Sequence, residues 1–296
     1  MNQTVPADIL YRIDLLNGQA RGLLLRSTAM AEEGRRIHGL SRTATAALGR
    51  LMSMTCIMGA LLKEDKGSVS CIVRGDGPLG TMIAVGRPTG DVKGYVQQPD
   101  VELPRVEGKL PVGDAVGRHG TLQVIKDLGF GEPYSGQVNL VSGELGEDFA
   151  LYFTASEQTP SLVSLGVLTG DTVQAAGGLL VQLLPGALQE APGLLEARAP
   201  VFSHISSLLA EWGDEALIHR LFEGLEPKVL GTQSVRYACD CSRERVERAL
   251  ISLGRAELEQ LIREQDHCTV DCQFCNSRRA FSGQELRALL DVATRP

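Results

Sequence analysis

Four cysteines near the C-terminal end constrain this chain more than any other feature. They form two short pairs, Cys239-Asp240-Cys241 and Cys272-Gln273-Phe274-Cys275, with 30 residues between Cys241 and Cys272. A single Zn²⁺ takes four tetrahedral ligands, and thiolate sulfur serves it well. Two short pairs on two turns, joined by a helical stretch, supply four such ligands at once. Paired thiols in an intracellular chain are metal-binding or redox-active more often than they are structural disulfides. Four inert, separately buried cysteines do not explain why five of the seven cysteines fall between positions 239 and 275. The residues therefore point to one Zn²⁺ per chain, held by Cys239, Cys241, Cys272 and Cys275.

At 296 residues the chain exceeds one small core, and two or three domains are expected. Aromatic residues make up only 4 %, so the cores must rely on Leu, Ile, Val and Ala. Arg12, Asp14 and Arg21 interrupt any early apolar run, so no signal peptide is expected. No segment reaches the roughly 18 apolar residues of a membrane span. A reducing, cytoplasmic setting without membrane contact follows as an expectation. The net charge of −7 argues against non-specific nucleic-acid binding.

The first 183 residues read as a mixed core. Apolar runs at 9–16 and 23–25, with Asn17-Gly18 between them, suggest strands and a turn. Residues 30–38 look helical. Ser41 can cap a second helix reaching about Leu62, with Leu48, Leu51, Met52, Thr55, Met58 and Leu62 on one face. Met52, Met54 and Met58 suit either a core or a soft binding surface, and core filling is the expectation. Cys56 reads as a small buried hydrophobe. Gly75-Asp76-Gly77-Pro78-Leu79-Gly80 matches G-x-G-x-x-G, the fingerprint of dinucleotide folds. A helix should follow it, yet residues 81–85 are β-like, so strand–turn–strand is the better reading. Strands are expected at 68–73, 121–125, 136–141, 162–168 and 178–184, and a helix at 144–155. Hairpins interspersed with helices indicate an α+β fold.

Pro185-Gly186 opens a different region, closed by Pro227. Residues 184–231 carry seven acids against three Lys or Arg, with helical apolar stripes over 201–212 and 217–225. They read as a linker of short amphipathic helices whose stripes need a partner surface. Residues 232–296 form the cysteine domain. Ser242 can cap a helix with Val246, Leu250 and Leu253 inward, ended by Gly254. A second helix carries Leu258, Leu261 and Ile262, and a last one spans 284–292. Ten acids balance ten arginines over residues 232–296, which leaves no basic footprint for DNA or RNA.

The pattern C-x-C…C-x-x-C after such a core resembles the redox-regulated holdase chaperones of the heat-shock protein 33 family (33 kDa chaperonin). The likeness also rests on Gly75-Asp76-Gly77-Pro78-Leu79, Glu132-Pro133-Tyr134-Ser135-Gly136 and the block from Tyr152 to Gln158. Further blocks run from Ala176 to Pro185 and from Cys239 to Val246. The resemblance implies an N-terminal β-sheet core with packed helices that binds clients and dimerises (1–183), a metastable helical linker (184–231) and a small zinc-binding switch domain (232–296). It implies a cytoplasmic, ATP-independent chaperone that is zinc-bound and inactive when reduced, and no enzyme. Oxidation would form disulfides within Cys239/Cys241 and within Cys272/Cys275, with release of zinc, unfolding of the linker and capture of unfolding or oxidatively damaged client proteins by a homodimer. Two features depart from the family pattern. Cys268, read as one helical turn before Cys272, is a fifth cysteine that could replace a ligand or form an unintended disulfide, and Arg279 stands where an aromatic is usual.

Physical chemistry favours such a switch. A domain of about 65 residues buries little surface. Structural zinc contributes about 10–16 kcal/mol of apparent binding free energy in small peptides, against about 5–15 kcal/mol for the stability of a whole domain. Oxidised sulfur is a poor ligand, so oxidation couples to unfolding. Two other classes compete. A zinc-ribbon regulator that recruits a partner or binds nucleic acid predicts a basic or aromatic reading surface, and none is visible. A thiol oxidoreductase would set Cys272-Gln273-Phe274-Cys275 in a thioredoxin-like βαβ unit, which is absent.

Overall fold

The computed structural model describes residues 7–264 and 267–293; the part of the expected N-terminal strand region before residue 7 lies outside them. The chain divides into two compact units, Met1–Ala238 and Cys239–Pro296.

The first unit is α+β. Its strands and helices follow in the order β1 (Ile9–Leu15), β2 (Ala20–Arg26), α1 (Thr28–His38), α2 (Arg42–Ala60), β3 (Ser68–Gly75), β4 (Thr81–Gly86), β5 (Asp91–Val96) and α3 (Val112–Val116). Then come β6 (Gly120–Asp127), β7 (Tyr134–Asn139), α4 (Gly146–Ala155), β8 (Ser161–Thr169) and β9 (Val173–Leu183). Four short helices follow: α5 (Ala191–Glu196), α6 (Ala199–Phe202), α7 (Ile205–Glu211) and α8 (Asp214–Leu221). Strands β10 (Lys228–Ser234) and β11 (Arg236–Tyr237) end the unit.

Two sheets result, a five-stranded one in the order β10-β1-β2-β9-β8 and a six-stranded one in the order β11-β5-β4-β3-β6-β7. All pairings are antiparallel except β11 with β5. Helix α2 packs against both sheets. Ser41 caps it, accepting from the Ala44 amide at 3.0 Å. The expected single apolar face is wider than the sequence suggested: 17 of its 19 residues are buried. A helix can be covered all round only if its polar residues are satisfied internally. Ser53 and Thr55 accordingly donate to the carbonyls of Gly49 and Leu51, both at 2.7 Å. Met52, Met54 and Met58 are core residues, as is Cys56. No described helix is long and apolar enough to cross a membrane.

Both faces of the five-stranded sheet are covered, and the period of two sorts its side chains. Leu23, Leu25, Ala176 and Leu180 join the core around α2. Leu24, Ala175, Leu179 and Val181 join a second core with Leu195, Phe202, Ile205, Leu209, Leu217, Leu221 and Phe222. The stripes of residues 184–231 thus find their partner surface on the sheet. Gly177 makes close approach possible, since a Cβ there would lie 2.6 Å from Leu209 Cδ1. The G-x-G-x-x-G segment is the β3–β4 hairpin, as its context required. A Cβ on Gly77 would meet the Ala115 carbonyl oxygen at 2.4 Å, so this glycine admits the backbone of α3 rather than a phosphate.

The second unit holds α9 (Arg243–Ser252), α10 (Arg255–Glu264), the hairpin β12 (His267–Asp271) and β13 (Arg278–Ser282), and α11 (Gly283–Ala293). Ser242 caps α9, accepting from the Arg245 amide at 3.3 Å. Leu250, Leu258, Phe281 and Leu286 are its buried apolar residues, with Val246, Leu261, Cys268 and Val270 packed around them. Leu253, read as inward, is instead exposed, at the C-cap of α9.

Candidate metal centre

The four cysteines that could hold a metal come from two turns of the second unit. Cys239 and Cys241 precede α9, and Cys272 and Cys275 lie in the turn joining β12 to β13. In that turn the Asn276 amide donates to the Cys272 carbonyl at 2.8 Å, and the Cys272 amide to the Ser277 carbonyl at 2.9 Å. Asn276 takes the left-handed conformation, at φ 54°, which a short polar side chain tolerates.

The four sulfurs lie within 4.8 Å of one another. Cys239 Sγ is 3.7 Å from Cys272 Sγ, and Cys241 Sγ is 3.2 Å from Cys275 Sγ. A regular tetrahedron with metal–sulfur bonds of about 2.3 Å has edges of about 3.8 Å. All four are free thiols, half-buried, and could hold one metal ion. Burial raises the Cys272 thiol above its ordinary value. At Cys275 burial acts in the same direction, but hydrogen bonding with Ser277 and Cys241 outweighs it and brings the thiol down to about 6. Burial pushes the core thiols Cys56 and Cys71 up to about 12, which makes them inert by comparison.

Cys268 is not part of this cluster. The expectation of one helical turn before Cys272 fails because the segment is a strand, opposite Phe281 in the hairpin register. Four residues along a strand span about 13 Å instead of one helical pitch. Cys268 packs with the small core. Arg279 pairs with Val270 on that same face and is half-buried there.

Other charged contacts escaped the sequence reading. Arg26, at the end of β2, donates to the carbonyls of Leu209 (2.6 Å) and Trp212 (3.1 Å) and to the Asp214 carboxylate (2.8 Å). Tyr11 donates to the other oxygen of that carboxylate at 2.7 Å. Together they fasten the α7–α8 junction to the sheet. Nothing local signals this contact, since its partners lie 188 residues apart.

The sequence pattern of the family described as "Hsp33 protein" matches residues 8–282. The chain is 45 % identical over 286 residues to the 33 kDa chaperonin of Clostridioides difficile, covering 96 % of this chain and 98 % of the relative. It is 42 % identical over 289 residues to the 33 kDa chaperonin of Bacillus cytotoxicus, covering 96 % and 99 %. The crystal structure of the 33 kDa chaperonin (heat shock protein 33 homolog) of Thermotoga maritima superposes with a TM-score of 0.85 at 35 % identity, over 97 % of this chain and 99 % of that one. With the fold and nearly the whole length in agreement, the chain belongs to the Hsp33 family.

Proposed function

We propose that this protein is a redox-regulated, ATP-independent holdase, zinc-bound and inactive when reduced. The observation that carries the reading is the gathering of four free thiols within 4.8 Å in a unit with so small an apolar core. When bound, Zn²⁺ supplies a crosslink between two turns that the apolar residues alone hold weakly. In the reduced state the thiolates of Cys239, Cys241, Cys272 and Cys275 act as ligands.

On oxidation, Cys239 with Cys241, and Cys272 with Cys275, each form one disulfide. For each pair, two thiolates, one peroxide and two protons from solvent give one S–S bond and two waters. The disulfide sulfurs no longer ligate, and the part of the switch domain (232–296) that forms the second unit, from Cys239 on, loses its crosslink. The linker, residues 184–231, then unfolds from the sheet. Its helices have at most eight residues each, too short to persist alone in water. Ile13, Leu15, Leu24, Leu179 and Val181, covered by those helices in the reduced fold, become a surface of the 1–183 core for unfolding clients. The active form is a homodimer in the cytoplasm, and no reaction is catalysed. The relatives named 33 kDa chaperonin support a chaperone role.

Light scattering of a heat-denaturing test protein checks this. The reduced, zinc-loaded chain should leave aggregation unchanged, and the peroxide-treated chain should suppress it. Equal suppression by both forms, or by neither, overturns the reading.

A further inference from the structure

The turn after the second cysteine pair carries a hydroxyl that the four-cysteine pattern does not include. Ser277 Oγ lies 3.3 Å from Cys241 Sγ and 3.2 Å from Cys275 Sγ, whose thiol points to it. Cys241 belongs to the first pair and Cys275 to the second, so one side chain touches both halves of the tetrad. The backbone that carries the hydroxyl is fixed by its own turn, through the Cys272 amide on the Ser277 carbonyl. Position alone does not make a role, but charge gives it one. Four thiolates around one divalent cation leave a net charge of about −2 on a half-buried site. Metal-bound thiolates carry no proton, so the hydroxyl becomes the donor, its single proton going to Cys241 Sγ or to Cys275 Sγ or shared between them. A donor to thiolate sulfur spreads that charge, strengthens metal retention and lowers the nucleophilicity of the sulfur.

We propose that Ser277 is a positioning residue of the metal centre, bridging one ligand from each cysteine pair and setting how readily those sulfurs release metal and react. The inference rests on the zinc reading above and names a determinant of its threshold.

The test uses the full chain with Ser277→Ala and Ser277→Thr. Chelator competition gives zinc affinity, the sulfur-to-cobalt charge-transfer band of the cobalt-loaded chain reports thiolate donor strength, and iodoacetamide measures sulfur reactivity. Ser277→Ala should bind zinc about tenfold more weakly, the low end for loss of a residue that supports a ligand. Its cobalt band should shift and its alkylation should quicken, and Ser277→Thr should restore all three. A wild-type chain that takes up no zinc overturns the zinc reading itself. A zinc-binding wild type with an indistinguishable Ser277→Ala overturns this proposal alone. Weaker zinc in Ser277→Ala, without a spectral or reactivity change and without rescue by Thr, also overturns it, since that pattern belongs to a damaged turn.

Discussion

Asp8 shows how one residue reads its surroundings. It is 6 % exposed and accepts from the amides of Ala29 (3.0 Å) and Met30 (2.5 Å) at the start of α1. Burial raises its carboxyl to about 6, against hydrogen bonds that pull the other way. A folded-state value above the unfolded one means that the folded chain binds the proton more tightly. The associated stability is full below about 4 and is lost as pH rises through about 6. The shift corresponds to roughly 2–3 kcal/mol. Asp8→Asn should flatten the thermal-unfolding midpoint between pH 4 and 6; an unchanged pH profile would refute the assignment. The cysteines divide at the same scale. Cys268→Ala should retain one zinc per chain, whereas Cys272→Ala should lose tight zinc, as read by elemental analysis. Equal loss in both would place Cys268 among the ligands.

At the scale of elements, the junction of α7 and α8 is held by a side-chain latch as well as by apolar contact. The Arg26 side chain is 6 % exposed and Asp214 is 28 % exposed. Hydrogen bonds to charged groups contribute about 1.5–3 kcal/mol each when buried. Asp214→Ala should therefore loosen α7 and α8 by about that amount while leaving β3 and β6 untouched. Hydrogen exchange would show faster amides over residues 205–221 in the reduced protein, and oxidant should activate the variant at lower dose. If exchange there matches wild type, the latch is ornamental. Leu209→Asp or Leu221→Asp acts on the apolar half of the same contact, since both side chains are buried against the sheet. Either should give chaperone activity without oxidant, measured by light scattering.

For the molecule as a whole, metal should decide whether the second unit is folded. Its apolar core is small, and a domain of about 60 residues buries only some 60 % of its unfolded surface. Chelation should therefore release amide protection across α9, α10 and α11 while β2, β9 and α2 stay protected. Slow exchange throughout the metal-free second unit would remove the physical basis of the switch.

The amino-acid sequence by itself determined the cysteine constellation, the α+β class, most strands and helices, the Ser41 and Ser242 caps and the amphipathic character of residues 184–231. Each is written in local spacing: a ligand pair, a period, a cap. Tertiary structure decided what spacing leaves open. Periodicity gave α2 one apolar face, and only two sheets packed against it explain burial of nearly every residue. The segment with Cys268 is too short for its period to separate strand from helix, and pairing with Phe281 settled it. Strand β10 forms against β1 although Ile9 and Ser234 are at opposite ends of the unit. The Arg26–Asp214 contact and the approach of the Ser277 hydroxyl to Cys241 likewise join residues distant in the chain. Such contacts depend on how elements pack, and no local pattern encodes that.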